Sequence, residues 1–206
     1  MSEEGQSIRV VGYGADSADY YFRGQRCYDQ IQQDAIPKWF FYTALELRNC
    51  IERLLFEYLV LFGREELTKQ QEKAYRATLL KDHILSIEPD FKLKLEFTGV
   101  MHQALSGVGV YIIDLDQLSE LYGRLGNFLH APKRPERTVE NPRWWGRLNE
   151  TLQQTFGVLD QVYSNVIGSV TFTEEGQDLY ERWKSGSITD TQAQEDFLDG
   201  ISGATS

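Results

Sequence analysis

Five residues separate an arginine from a histidine near the end of one predicted helix. The guanidinium of Arg124 carries a permanent charge and can pair with two phosphate oxygens at once. Asn127 follows one turn later on the same flank and can present an amide to the same phosphate. Histidine is the side chain best suited to moving protons near neutral pH, which gives His130 a role in acid–base chemistry. The three side chains predict chemistry on a phosphate ester.

Helical geometry separates the arginine from the histidine. On an ideal helix, side chains six positions apart point about 120° away from each other, so Arg124 and His130 need an unwound last turn before Pro132, or a second copy of the helix, to meet. One face also carries a row of small residues that would admit a closely packed neighbour. The neighbour is either another helix of the same chain or a homodimer partner. The face consists of Ser119, Gly123, Gly126 and His130.

A locally basic segment follows this helix in an otherwise acidic chain. Cations with an aromatic ring among them suit single-stranded RNA, whose phosphates pair with the cations while its bases stack. The alternative is a solvated, proline-rich connection, with Trp145 belonging to the apolar side of the next helix. The candidate RNA-binding residues are Lys133, Arg134, Arg137, Arg143 and Trp144, and Arg147 continues the basic run.

Apolar residues recur at helical spacing through most of the chain. The pattern predicts an all-α fold, a bundle of four to five long helices, with a short extended N-terminal arm and a small C-terminal helical tail. The predicted boundaries are 1–35 for the arm, 36–168 for the bundle and 169–206 for the tail.

Proline, glycine and capping residues indicate where each helix begins and ends. The tail carries a β-like stretch at Val170–Phe172 and two short helical patterns, and the aromatic run at residues 20–22 is predicted to be a turn. The predicted long helices are Trp39–Phe62 after Pro37, Thr68–Ile87 before Pro89, Phe91–Leu105, a helix from Asp114 or Asp116 to Pro132, and a helix that starts at about Pro142.

Arg48 and Glu52 fall within the apolar arc of the first long helix instead of on its polar face. Their spacing of four residues allows them to pair with each other. One interpretation is that they extend to solvent from a half-wet edge of the arc. The other is that they support a charged site between helices, because burying an ion pair contributes little to stability.

Composition limits the classes of partner and cofactor. The formal net charge is −10, which argues against broad attraction to nucleic acid or anionic lipid but permits a local phosphate site. Cys27 and Cys50 lack the spacing of metal ligands, and no cofactor or metal is expected. The chain contains no signal-peptide core and no membrane-spanning stretch, so a cytoplasmic protein without membrane contact is expected.

The helical bundle, the early segment Leu47–Glu52 and the Arg124–His130 spacing together resemble the HEPN superfamily. Its motif is an arginine, four to six residues, and a histidine, a spacing that also occurs at Arg76 and His83. The resemblance implies a metal-independent endoribonuclease of toxin or antiviral-defence type. Arg124 would stabilise the phosphate, and His130 would serve in acid–base catalysis while the RNA's 2′-hydroxyl attacks. Homodimers that line one cleft with both motifs are also implied.

Two further hypotheses remain at this stage. A non-catalytic helical dimer that binds protein or nucleic acid is favoured by Leu125, because active family members carry a polar residue directly after the arginine. A regulatory or immunity protein that binds a basic partner is supported by net charge alone.

Overall fold

The computed structural model describes residues 16–34, 36–62, 76–106, 110–130, 141–167 and 172–203. Over these residues the fold is all-α, as predicted, and none of the described helices has the length and apolar content needed to span a membrane. In chain order the elements are α1 (Ser17–Asp34), α2 (Pro37–Phe62), α3 (Ala77–Ile87), α4 (Phe91–Ser106), β1 (Val110–Tyr111), α5 (Leu115–Leu129), α6 (Pro142–Ser164), β2 (Val166–Ile167), α7 (Glu174–Lys184) and α8 (Asp190–Gly203).

Helix α2 is the central helix of the main hydrophobic core. It begins at Pro37, whose fixed φ and missing N–H suit the first turn of a helix. Helices α1, α3, α5 and α6 all pack against it. Its fully buried side chains include Leu47, Ile51 and Leu55, which the helical periodicity had placed on the apolar arc. Most of the stabilisation of such a helix comes from this burial, because propensity alone contributes little.

The prediction of an extended N-terminal arm is wrong for residues 17–34. They form α1, an 18-residue helix, and the aromatic run at residues 20–22 lies inside it. Tyr21 is buried, and Gly24 lies so close to α2 that an added Cβ would be 3.0 Å from Cδ2 of Leu47. Packing against α2 therefore outweighs the weak local propensity of this segment. The rest of the predicted arm, residues 1–15 and 35, lies outside the described residues.

The predicted helix termini near the candidate site agree with the structure. Asp114 caps α5 by accepting hydrogen bonds from the backbone N–H groups of Asp116 and Gln117, each at 2.9 Å. Asn141 caps α6 by accepting from the N–H of Arg143 at 3.0 Å. Helix α3 ends before Pro89, as predicted, whereas its predicted first half lies outside the described residues.

The second hydrophobic cluster joins α4 to the two C-terminal helices. Phe97 and Met101 of α4 pack with Leu179 and Tyr180 of α7 and with Ala193 of α8. The other end of α4 contributes to the main core, so one helix serves both clusters.

A parallel pair of short strands lies between the helices. Val110 pairs with Val166, and Tyr111 pairs with Ile167. The predicted β-like stretch is only partly described, and its last residue, Phe172, lies outside any strand.

We predict that Gly24→Leu lowers the free energy of unfolding by about 1–3 kcal/mol, because the side chain would be forced into the contact between α1 and α2. Gly157→Leu on α6 is the matched control, since an added Cβ there meets nothing within 4 Å. It should leave stability unchanged or raise it by up to about 1 kcal/mol, through better helix propensity. Urea denaturation followed by circular dichroism measures both. Equal effects would mean that α1 is not packed on α2 as described.

Candidate nucleic-acid interface

A shallow groove of about 390 Å³ runs between α5 and α6. It is lined by two arginines, an amide, two aromatic rings, a threonine and one carboxylate. Because α5 supplies one wall and α6 the other, the groove depends on how these two helices pack. The lining residues are Arg124, Asn127, Phe128, Trp144, Arg147, Glu150 and Thr151.

Arg124 is held at the edge of this groove by α6. Its Nη2 donates a hydrogen bond to Oγ1 of Thr151 at 3.1 Å. Its Nη1 lies 3.8 Å from a carboxylate oxygen of Glu120, whose side chain is 71% exposed. An ion pair so exposed contributes little, so a ligand phosphate can replace it. The guanidinium is therefore fixed on one side and accessible on the other.

The positive surface continues toward the first turn of α6. A second depression, of about 590 Å³, shares Arg147 and Glu150 with the groove and adds Arg143, Gly146 and Asn141. Among the described residues, no carboxylate lies within 4 Å of the Arg143 or Arg147 side chains. The N-terminal end of a helix also attracts anions through its dipole. Glu150 opposes this attraction, so the surface is locally positive but not uniformly so.

His130 does not belong to the groove of its own chain. Helix α5 continues without interruption to Leu129, and the backbone N–H of His130 donates to the carbonyl of Gly126 at 3.1 Å. The regular helix therefore keeps His130 on a different side from Arg124, which excludes the unwound last turn as a way to bring them together. The His130 side chain is exposed, and it is not among the lining residues.

The small-residue face of α5 is divided between the core and solvent. Gly126 is buried against α2, where an added Cβ would be 3.5 Å from Nε of Arg48. Gly123 is exposed, and an added Cβ there meets nothing within 4 Å. Gly126 thus allows close packing within the chain, whereas Gly123 leaves space on the surface for another molecule.

Trp144 is largely buried, although the sequence suggested that it binds RNA. Its side chain is 9% exposed and packs against Phe41, Phe128 and Trp145, with ring centroids 4.7–5.9 Å apart. Most of its ring is therefore occupied by protein contacts. Trp145 is more exposed than Trp144, but it also packs against the main core, with ring contacts to Phe40 and Phe41, as the alternative interpretation of the sequence expected. The candidates Lys133, Arg134 and Arg137 lie outside the described residues.

Arg48 and Glu52 are linked through the hydroxyl of Tyr122. Nη2 of Arg48 donates to the hydroxyl at 2.5 Å, and the hydroxyl donates to Oε2 of Glu52 at 2.9 Å. The guanidinium carbon of Arg48 also lies 4.2 Å from the centre of the tyrosine ring, a cation–π distance. The direct pair that the spacing allowed is thus replaced by a contact that joins α2 to α5.

Burial raises the pKa values of the two acidic members of this network. Desolvation raises the pKa of Glu52, while the hydrogen bond from Tyr122 and the charge of Arg48 partly oppose the shift. Desolvation, together with the hydrogen bond to Glu52, raises the pKa of Tyr122 to about 12. A raised carboxyl pKa means that stability decreases as pH rises from the ordinary pKa of glutamate through the folded-state value.

The described residues contain no group of three or more His, Cys, Asp or Glu side chains arranged to hold a metal ion. Both cysteines are free, and Cys50 is fully buried with its pKa raised to about 12 by desolvation. A thiol in this state is a poor nucleophile.

Sequence reasoning missed Thr151 and gave Arg147 no specific role. Thr151 interrupts the apolar side of α6 between Leu148 and Leu152, with Thr155 one turn later. A polar residue on an otherwise apolar helix face is a detectable signal. What the sequence did not show was that Arg124 of another helix reaches it.

Comparison with known proteins gives no match. No family model, curated protein or solved structure is matched by this chain.

We predict that Tyr122→Phe lowers the free energy of unfolding by about 1–3 kcal/mol, because it leaves a partly buried arginine and carboxylate without their shared hydroxyl. Tyr42→Phe is the matched control on α2, where the side chain is 50% exposed, and its effect should stay within about 0.5 kcal/mol. Chemical denaturation measures both. A loss no larger than that of the control would show that the Tyr122 hydroxyl does not tie α2 to α5.

Proposed function

We propose that this protein binds RNA through the groove between α5 and α6 and cleaves it without a metal ion, in a site that a second copy of the chain completes. The observation that carries the proposal is the anchored, accessible guanidinium of Arg124 beside Arg147 in an otherwise acidic protein. Phosphodiester oxygens are suitable ligands for this pair.

Among the described residues, the lining of the groove supplies two arginines and an amide for a phosphate but no histidine. Arg124 and Asn127 donate hydrogen bonds and stabilise negative charge, and the carboxylate of Glu150 is the one acidic group among the lining residues. A histidine must therefore be supplied from elsewhere if RNA is cleaved by acid–base catalysis.

A homodimer supplies that histidine in the proposal. The exposed His130 and the open surface at Gly123 lie together on α5, away from Arg124. The proposal requires that the α5 surface carrying His130 in one chain meets the groove of the other chain, and a two-fold axis would then form both sites alike. There His130 accepts the proton of the RNA's 2′-hydroxyl while the 2′-oxygen attacks the phosphorus. The bond to the 5′-oxygen breaks, and that oxygen takes a proton from water, which leaves a 2′,3′-cyclic phosphate and a 5′-hydroxyl.

The second candidate is a binding module without catalysis. It is favoured by the uninterrupted α5 helix, which keeps His130 out of the groove of its own chain. RNA binding is common to both candidates, whereas cleavage separates them.

We predict that Arg124→Ala and Arg147→Ala each weaken binding of a single-stranded RNA oligonucleotide. Each should also reduce the slope of log affinity against log salt by about 0.7, because one phosphate contact is removed. Fluorescence anisotropy over a range of salt concentrations measures both quantities. Arg26→Ala is the control, because Arg26 is an exposed arginine on α1 outside the groove. Equal losses in all three variants would argue against a site between α5 and α6.

We predict that the wild type cleaves RNA in EDTA and that His130→Ala abolishes cleavage while retaining RNA binding. His83→Ala, from the second arginine–histidine spacing, should remain active.

Mixing inactive Arg124→Ala and His130→Ala chains should restore about a quarter of the wild-type activity. Half of the dimers would contain one chain of each kind, and each of these dimers would have one intact site of two. Gel analysis of labelled RNA measures all of these. Restoration requires a site shared between chains, and cleavage without restoration would place the whole site in one chain. Absence of cleavage by the wild type leaves the binding module.

A further inference from the structure

Thr151 lies at a junction between the two arginines of the groove. It is 1% exposed, and its hydroxyl donates a hydrogen bond to the backbone carbonyl of Arg147 at 2.8 Å. A hydroxyl has one proton to donate. Because that proton is already engaged, the oxygen faces Arg124 as an acceptor, and it accepts from Nη2 at 3.1 Å.

This contact matters because arginine is long and flexible. Holding an arginine in one rotamer costs conformational entropy, and a ligand must supply that cost if the protein has not already done so. In Arg124, one nitrogen is bonded to a buried group, while the side chain as a whole remains 35% exposed. The rest of the guanidinium is thus oriented in advance and still open to a ligand.

We propose that Thr151 is a positioning residue, which orients Arg124 toward a phosphodiester in the groove. The ligand class rests on the RNA binding proposed above, whereas the orientation of Arg124 can be measured without any ligand. The same hydroxyl also bonds the backbone of Arg147. It therefore connects Arg124 of α5 to the turn of α6 that carries Arg147.

Thr155 provides a matched control one turn further along α6. Its hydroxyl donates to the carbonyl of Thr151 at 2.8 Å, and the residue is fully buried. It therefore shares with Thr151 the bond to the preceding turn and the burial, but among the described residues no arginine donates a hydrogen bond to it. Replacing Thr155 by valine measures the structural cost of losing such a hydroxyl.

The experiment compares Thr151→Val, Thr151→Ser and Thr155→Val with the wild type. Nitrogen-15 relaxation of the Arg124 guanidinium in the free protein, assigned with Arg124→Ala, reports how tightly the side chain is held. Anisotropy with the single-stranded RNA oligonucleotide reports affinity. We expect Thr151→Val to mobilise the guanidinium and to weaken binding roughly three- to tenfold, as loss of one such hydrogen bond implies. Thr151→Ser and Thr155→Val should resemble the wild type.

The outcomes separate the positioning role from the binding function. An unchanged Arg124 guanidinium in Thr151→Val, or an equal change in Thr155→Val, overturns the proposal. A further loss of affinity when Thr151→Val is added to Arg124→Ala also overturns it, because Thr151 would then act independently of Arg124. If Thr151→Val mobilises the guanidinium but Arg124→Ala itself does not weaken RNA binding, the positioning role stands and the proposed function fails.

Discussion

The hydroxyl of Tyr122 joins a half-buried arginine and a half-buried carboxylate of α2 to α5, and this contact acts with the apolar face of α5 to fix the rotation of that helix. With Tyr122 turned toward α2, the helix must present Arg124 and Asn127 on another side, toward α6. Rotating α5 away would remove the hydroxyl that both Arg48 and Glu52 bind, which costs free energy at a half-buried site. The groove therefore depends on a hydrogen-bonded contact between α2 and α5 that lies outside the groove itself.

The parts of the fold that the sequence predicted are those with strong local signals. Helix α2 has a proline at its start and a wide apolar arc, while Asp114 and Asn141 cap α5 and α6. Helix α1 also begins with a capping residue, because Asp16 accepts a hydrogen bond from the N–H of Asp19 at 2.7 Å. The sequence analysis missed this cap, and it could not show that α1 packs on the next helix, α2. Propensity averaged over a short window does not contain that information.

The residues of the candidate site also differ in how much of their arrangement the sequence could predict. Residue type and spacing were enough to select Arg124, Asn127 and His130, but not to decide which of them share a surface. The contact between Arg124 and Thr151 spans two helices, so no periodicity within either helix reveals it. For Trp144 the sequence was misleading. Its charged neighbours in the sequence indicated an exposed side chain, whereas in the structure the residue is largely buried and packs against Phe41 of α2. Side chains that depend on tertiary packing are those for which sequence reasoning was least informative.

The position of α4 between the two hydrophobic clusters affects how the protein unfolds. One of its ends belongs to the main core, and the other is covered only by α7 and α8 within the described residues. Elements that share few contacts with the main core can open separately, at a lower free energy than global unfolding. Such an opening would expose Phe97 and Met101 while the groove between α5 and α6 stayed intact. The C-terminal part of the chain can therefore expose apolar side chains, which favour self-association, before the main core unfolds.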